Sequence, residues 1–298
     1  MAGQLKEVRN RIKSVISTQQ ITKAMKMVSA AKLRRAQDRI TQMRPYSQKL
    51  SEMLSNIVSA AEGDVNVDLS VAREVKNALV VVMTSDRGLC GAFNTNINKT
   101  ALQLIRTKYA ALNPKNVHVL CIGKKSAQFF KKYSYNVIET HIELYANLKF
   151  DAVAALAEEL MAAYSAKQYD AVDMVYSQFK NAATQIFTAE QYLPIAKVSE
   201  VVGQATSKST KADFIFEPTQ AEIIETLMPK ILKVQLFKGL LDTNASEHGA
   251  RMTAMDKASE NANEILKNLK ISYNRARQAA ITTELSEIVA GAAALQGA

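Results

Sequence analysis

The two ends of this chain read as rods. From Gln4 to about Ala61 apolar side chains recur at helical spacing, with Leu5, Val8, Ile12, Val15, Ile21, Met25 and Val28 followed by Leu50, Met53, Leu54, Ile57 and Ala61. A helix of about 58 residues is roughly 87 Å long at about 1.5 Å per residue, more than a compact core of this size can bury. From about Thr219 the same period returns, through Ile223, Leu227, Ile231, Val234, Leu241, Ala245, His248, Met252, Met255, Ala262, Leu266, Leu269, Tyr273, Ala276 and Ala280. Gly239 and Gly249 weaken this helix by about 1 kcal/mol each without ending it. Pro45 lacks a backbone donor and predicts a kink or short break in the first rod. Pro218 precedes the second, where proline is tolerated, and Pro229 is a candidate bend.

The middle follows a different pattern. Apolar runs at 78–83 (ALVVVM), 116–122, 135–138 and 171–179 alternate with helical stretches near 95–111, 124–133 and 150–168. That alternation predicts an α/β domain, Rossmann-like, with a largely parallel sheet. The run TQIFTAEQYLPI predicts a hairpin with the strand before it, and the polar stretch GQATSKSTKAD leads out of the domain. The expected division is a coiled-coil helix over 1–62, the α/β domain over 75–200 and a second coiled-coil helix over 212–298. Two rods flanking a domain that brings the chain back cover their stripes most simply by packing antiparallel, as a stalk with the α/β domain at its side. Stripes of Ala, Met, Val and Ser in place of Leu heptads predict close helix approach and an imperfect seam.

Composition removes several classes of function. Two cysteines, Cys90 and Cys121, and three scattered histidines supply neither a disulfide framework nor a four-ligand metal site. No run reaches the roughly 20 apolar residues that span a bilayer, so the chain reads as soluble and unsecreted. The net charge of +10 is concentrated: residues 1–50 hold twelve Lys and Arg against Glu7 and Asp38. Such a segment meets something acidic, whether nucleic acid, a lipid surface or protein loops.

One stretch imitates an active site. TSDRGLCGAFN, residues 84–94, follows a buried strand and holds two glycines and a cysteine. A phosphate cradle needs GxxxxGK[ST] or GxGxxG opening a helix, whereas this loop offers Gly88 and Gly91, with Lys99 well inside the next helix. Neither His118 nor His141 is locally placed to activate Cys90, which reads as a small apolar residue. Asp86 and Arg87 read as pairing with or capping the loop. No catalytic, cofactor-binding or metal-binding residue is expected.

The same loop, with ITKAMKMVSAAKLRRAQ at 21–37 and YNRARQAAITTELSEIVAGAAAL at 273–295, strongly resembles the gamma subunit family of bacterial F-type ATP synthases. The resemblance covers the whole chain. Its carriers are Ser85, Asp86, Arg87, Gly88, Cys90 and Gly91 in the loop, and Ile281, Thr282, Glu284, Glu287, Gly291 and Ala292 near the end. It implies a central rotor shaft without bond chemistry of its own, whose helices enter an alpha3-beta3 ring and whose α/β domain contacts the epsilon subunit and the c-ring of Fo. It implies no nucleic-acid partner, no cofactor, and a peripheral position on the cytoplasmic face of a bacterial membrane. It also places Met25, Lys26, Arg251, Gln278 and Thr282 at the contact with beta, and makes the small side chains of 290–295 a smooth tip.

Plainer readings stand beside these roles. On periodicity alone Met25 equally fills the helix seam, the basic residues form a solvated face, Arg251 is a surface charge and His248 is seam or surface. Two rival functions are a nucleic-acid-binding coiled coil using the basic helix, and a thiol or nucleotide enzyme centred on Cys90.

Overall fold

A computed structural model describes residues 2–60, 69, 72–142, 144–195 and 220–296. The linker GQATSKSTKAD and the expected boundaries at 62, 200 and 212 lie outside the described residues. In order, the elements are α1 (Ala2–Ala60), β1 (Ala78–Met83), α2 (Phe93–Lys108), β2 (Val117–Ile122), α3 (Lys124–Lys132), β3 (Asn136–His141), α4 (Phe150–Ser165), β4 (Ala171–Phe179), β5 (Gln185–Leu193) and α5 (Gln220–Gln296). They fall into two compact units, Ala30–Arg251 and the two helix ends Met1–Ser29 with Met252–Ala298.

Of the kink or short break expected at Pro45, the break does not occur, since α1 runs through it. Pro45 and Thr41, whose carbonyl it leaves without a donor, are both exposed, so water can replace the lost bond, while buried Ile40 and Leu50 hold the helix on either side. Pro229 likewise lies within α5.

In the larger unit the sheet order is β3-β2-β1-β4-β5. β1 pairs in parallel with β2 and β4, and β2 with β3, while β4 and β5 form the expected antiparallel hairpin. β1 is wholly buried, as a central parallel strand covered on both faces must be. One face packs Val80, Val82, Val119, Cys121 and Val175 on Phe93, Ile97, Ala101 and Ile105 of α2 and Phe130 of α3. On that side Tyr109 donates to buried Asp173 at 2.5 Å and Lys108 at 2.7 Å, so the one acid inside β4 is paired.

The other face receives α5. A Cβ at Gly239 would meet Met83 at 3.5 Å and Tyr176 at 3.7 Å, and one at Gly249 the Ala182 carbonyl at 3.1 Å, so small residues set how closely this helix approaches. Ser246 donates to the Ser177 carbonyl at 3.2 Å, and Tyr192 to the Leu232 carbonyl at 3.1 Å. Leu236, Leu240 and Leu241 are buried here. The first part of α5 is therefore a layer of the α/β unit.

Asp242 sits in this layer, 3% exposed. Burial pushes its carboxyl up to about 6, against the opposing charges of Lys238 and Arg44 and a hydrogen bond from the Phe179 amide. As pH rises from about 4 to about 6 the unfolded chain loses a proton that the folded chain keeps, so stability from this group falls through that window and is gone above it. Asp242→Asn, which retains an acceptor for Phe179, is expected to flatten the dependence of thermal melting on pH between about 4 and 7 and to melt higher than the parent at pH 7.

Candidate functional site

The loop after β1 is closed by its own side chains. Thr84 Oγ1 accepts from the Ser126 amide at 2.8 Å, Asp86 Oδ1 from the Lys124 amide at 3.0 Å, and the Ser85 carbonyl from the Lys125 amide at 3.1 Å. The first three donors of α3, which a phosphate would need, are thus occupied. Gly123, at φ +103, lies so close to Thr84 that a Cβ would fall 2.1 Å from the Thr84 carbonyl oxygen. Asp86, expected to pair with or cap its own loop, instead accepts from the first amide of α3.

Cys90 is buried, with Asn94 Nδ2 donating to its sulfur at 3.2 Å. Burial pushes its thiol up, outweighing the opposing effects of Ser85 and Arg251, so the thiolate is disfavoured. His118 lies at the start of β2, at the other end of the parallel sheet, where its Nδ1 pairs with Asn136 at 2.9 Å. Burial likewise pushes the Cys121 thiol up to about 11. Both cysteines are expected to resist an alkylating reagent at neutral pH until the chain unfolds; rapid labelling of the native chain would contradict this.

Arg251 is 9% exposed. It pairs with Glu247 one turn earlier and donates to the carbonyls of Arg87 and Gly88, each at 3.2 Å. Nothing in the sequence pattern singled out Glu247. Ser85 is buried, Asp86 and Gly88 are half-buried, and Arg87 and Gly91 are exposed. His248 is half-buried; burial, then the charges of Arg251 and Lys32, push its imidazole down to about 4.

The smaller unit is an antiparallel helix pair. Arg9 donates to Tyr273 at 3.0 Å, Gln19 to Asn263, Thr22 pairs with Ser259 at 2.7 Å and Lys26 with Asp256 at 2.5 Å, so positions rise along α1 as they fall along α5. Covered positions follow alternating steps of three and four: 8, 12, 15, 19, 22, 26 and 29 on α1, and 252, 255, 259, 262, 266, 269, 273, 276, 280 and 283 on α5. The expected seam residues Ile21 and Val28 are instead 60% and 58% exposed, while Thr22 and Ser29 beside them are buried. Hydrophobicity misplaced the seam by one residue because its covered positions are polar there. Counting spacing without regard to polarity finds it.

Met25 and Lys26 are half-buried, and Gln278, Ile281, Thr282, Glu284, Glu287, Gly291 and Ala292 are exposed. The structure does not gather the expected contact residues into one patch. Lys26 lies beside Asp256, and Gln278 is 22 residues further along α5, roughly 33 Å at about 1.5 Å per residue. Side chains beyond Ala292 lie outside the described residues.

An α/β unit whose loop donors are internally satisfied, joined through two continuous helices to a coil, defines a class of mechanical or scaffolding chains. Residues 4–295 match the ATP synthase family. The ATP synthase gamma chain of Cytophaga hutchinsonii is 54% identical over 98% of both chains, and that of Christiangramia forsetii is 51% identical over 98% of this chain and 99% of its own. The central stalk of Tetrahymena thermophila mitochondrial ATP synthase aligns with a TM-score of 0.59 at 26% identity, covering 80% of this chain and 99% of that one. A chain of the Euglena gracilis mitochondrial enzyme in rotational state 3 shares the fold, with a TM-score of 0.73 at 21% identity over 99% and 95% of the two chains. The chain belongs to the ATP synthase gamma chain family, as the three sequence blocks indicated.

Thr22 and Ser259 give a direct test of the seam. Removing one hydroxyl, as in Thr22→Val, leaves Ser259 only its bond to the Met255 carbonyl and is expected to cost about 1 kcal/mol, whereas Thr22→Val with Ser259→Val costs less than the sum of the two single changes. Amide exchange along residues 15–29 is the readout, and additive losses would contradict the pairing.

Proposed function

We propose that this chain is the rotating shaft of an F-type ATP synthase, turning inside an alpha3-beta3 ring and converting its angle into different contacts on successive beta subunits. A shaft does this without bond chemistry: a partner shifts between states only as far as its contacts with the shaft differ between them.

The observation that carries this reading is the exposed apolar face of the helix pair. Between residues 19 and 29 the covered positions of α1 include Gln19, Thr22, Lys26 and Ser29, and those of α5 include Met252, Met255, Ser259 and Ala262, while Ile21, Met27, Val28, Ile265, Ile271, Ile281, Leu285, Ile288 and Val289 are exposed. Ile281, Leu285, Ile288 and Val289 recur at helical spacing on one side of α5, and Ile288 and Val289 are 67% and 66% exposed. A coil with apolar residues outside is suited to a protein sleeve and poorly suited to water.

Within this reading Met25 and Lys26 meet beta at one height of the shaft, and Gln278 and Thr282 at another. Arg251 belongs beneath such a surface, reaching beta through the loop that it holds. The α/β unit is assigned to the epsilon subunit and the c-ring, on the cytoplasmic face of a bacterial membrane. Among the described residues no helix is long and apolar enough to cross a membrane.

Mixing alpha and beta subunits with this chain is expected to give an assembly of three alpha, three beta and one copy of this chain by native mass spectrometry, with sustained ATP hydrolysis that is absent without it. Failure to assemble with well-folded partners would overturn the proposal. Ile288→Asp with Val289→Asp is expected to leave the melting of the isolated chain unchanged, since both positions are exposed, and to lower hydrolysis by the assembly at least severalfold.

A further inference from the structure

The cluster formed by Glu247, Arg251 and the 85–91 loop has a cost that the fold alone does not explain. Glu247 and Arg251 are 7% and 9% exposed. Two buried charges gain little over a well-packed apolar pair, because desolvation offsets most of their attraction. Burial shifts Glu247 toward its neutral form, and Arg251 opposes that shift.

What the pair supplies is geometry. Arg251 presents a planar fork: one arm is held by Glu247, and the other reaches two successive carbonyls, those of Arg87 and Gly88. The Arg87 carbonyl also accepts from Ser85 Oγ at 2.6 Å. With these carbonyls drawn inward, the Arg87 side chain and Leu89 are left facing solvent. Leu89 is 66% exposed and holds φ 65, a conformation uncommon for a residue with a branched apolar side chain. An exposed leucine held in that backbone region, next to an exposed arginine, presents a rigid apolar tip and a charge suited to a protein partner offering an apolar socket beside a carboxylate.

We infer that Arg251, held in place by Glu247, is a positioning residue that fixes the 85–91 loop to α5 as a preformed knob, so that Arg87 and Leu89 move with the helix when the shaft turns. The inference rests on the shaft reading, since the knob matters only if a partner bears on it. Arg251 acts through the loop carbonyls that it holds. Lysine cannot replace it, because an ammonium does not present the planar fork that spans Glu247 and both carbonyls.

The test replaces the pair with an apolar one, Glu247→Met with Arg251→Leu, in the whole complex reconstituted into vesicles, alongside Arg251→Lys and Leu89→Ala. Proton pumping per ATP hydrolysed is measured together with amide exchange of the same chains in isolation. The expected result is melting at or near the parent value, exchange of the Ser85 and Phe93 amides, which donate to Asn94 Oδ1 and the Cys90 carbonyl, faster by about tenfold with α5 and the sheet still protected, and a severalfold lower pumping ratio for both Arg251 variants. Leu89→Ala should lower the ratio while leaving loop exchange unchanged, which a merely structural role does not predict. The inference is overturned if the apolar pair pumps as the parent does, or if pumping falls only together with protection throughout α5 and the sheet. Failure of the parent complex to assemble would count against the shaft reading instead, while loop exchange in the isolated chain would still decide the clamp.

Discussion

A seam of hydrogen-bonded side chains holds the outer ends of α1 and α5 in one register. Thr22 with Ser259, Lys26 with Asp256, Gln19 with Asn263 and Arg9 with Tyr273 each fix one level of the pair. Polar seam positions lower the stability of a coil but allow few alternative alignments, since a slip would leave donors and acceptors unmatched. Between residues 19 and 29 the covered seam positions Gln19, Thr22, Lys26 and Ser29 of α1 are polar, and the aliphatic Ile21 and Val28 beside them are left outside. A helix pair arranged this way is stable in company and marginal alone.

The α/β unit has the form of a nucleotide-binding fold whose binding positions are filled. The crevice beyond the strand ends is where such folds place ligands. Here Thr84, Ser85 and Asp86 satisfy the start of α3, Gly123 packs against Thr84, and Arg251 reaches in from α5 to the loop carbonyls. The polar atoms that would recognise a phosphate recognise the chain itself. The architecture of an enzyme is used to grip a helix.

Much of this was legible in the sequence, and the exceptions have physical causes. The strands announced themselves as continuous apolar runs because both faces of the sheet are covered. The long helices were visible because their period persists through Gly239, Gly249 and both internal prolines. Of the kink or short break read at Pro45, the break is absent because tertiary packing at Ile40 and Leu50 outweighs a single missing hydrogen bond on an exposed side. The seam was misplaced because burial was inferred from apolarity, and here the covered side chains are Thr22 and Ser29 while Ile21 and Val28 are outside. The inward role of Arg251, and with it that of Glu247, was not legible, since Arg251 reaches backbone carbonyls more than 160 positions away in sequence.

The central claim is that the two helix ends turn as one body, and a covalent link across the seam tests it most directly. Thr22→Cys with Ser259→Cys puts two sulfurs where hydroxyls now lie 2.7 Å apart across the seam. The measurement is ATP-driven proton pumping by the assembled complex before and after oxidation of that pair. The account predicts that pumping survives the crosslink, because nothing between the helices has to move. Loss of pumping on oxidation, with recovery on reduction, would mean that the helices slide past each other during turnover, and would contradict a shaft held in a single register.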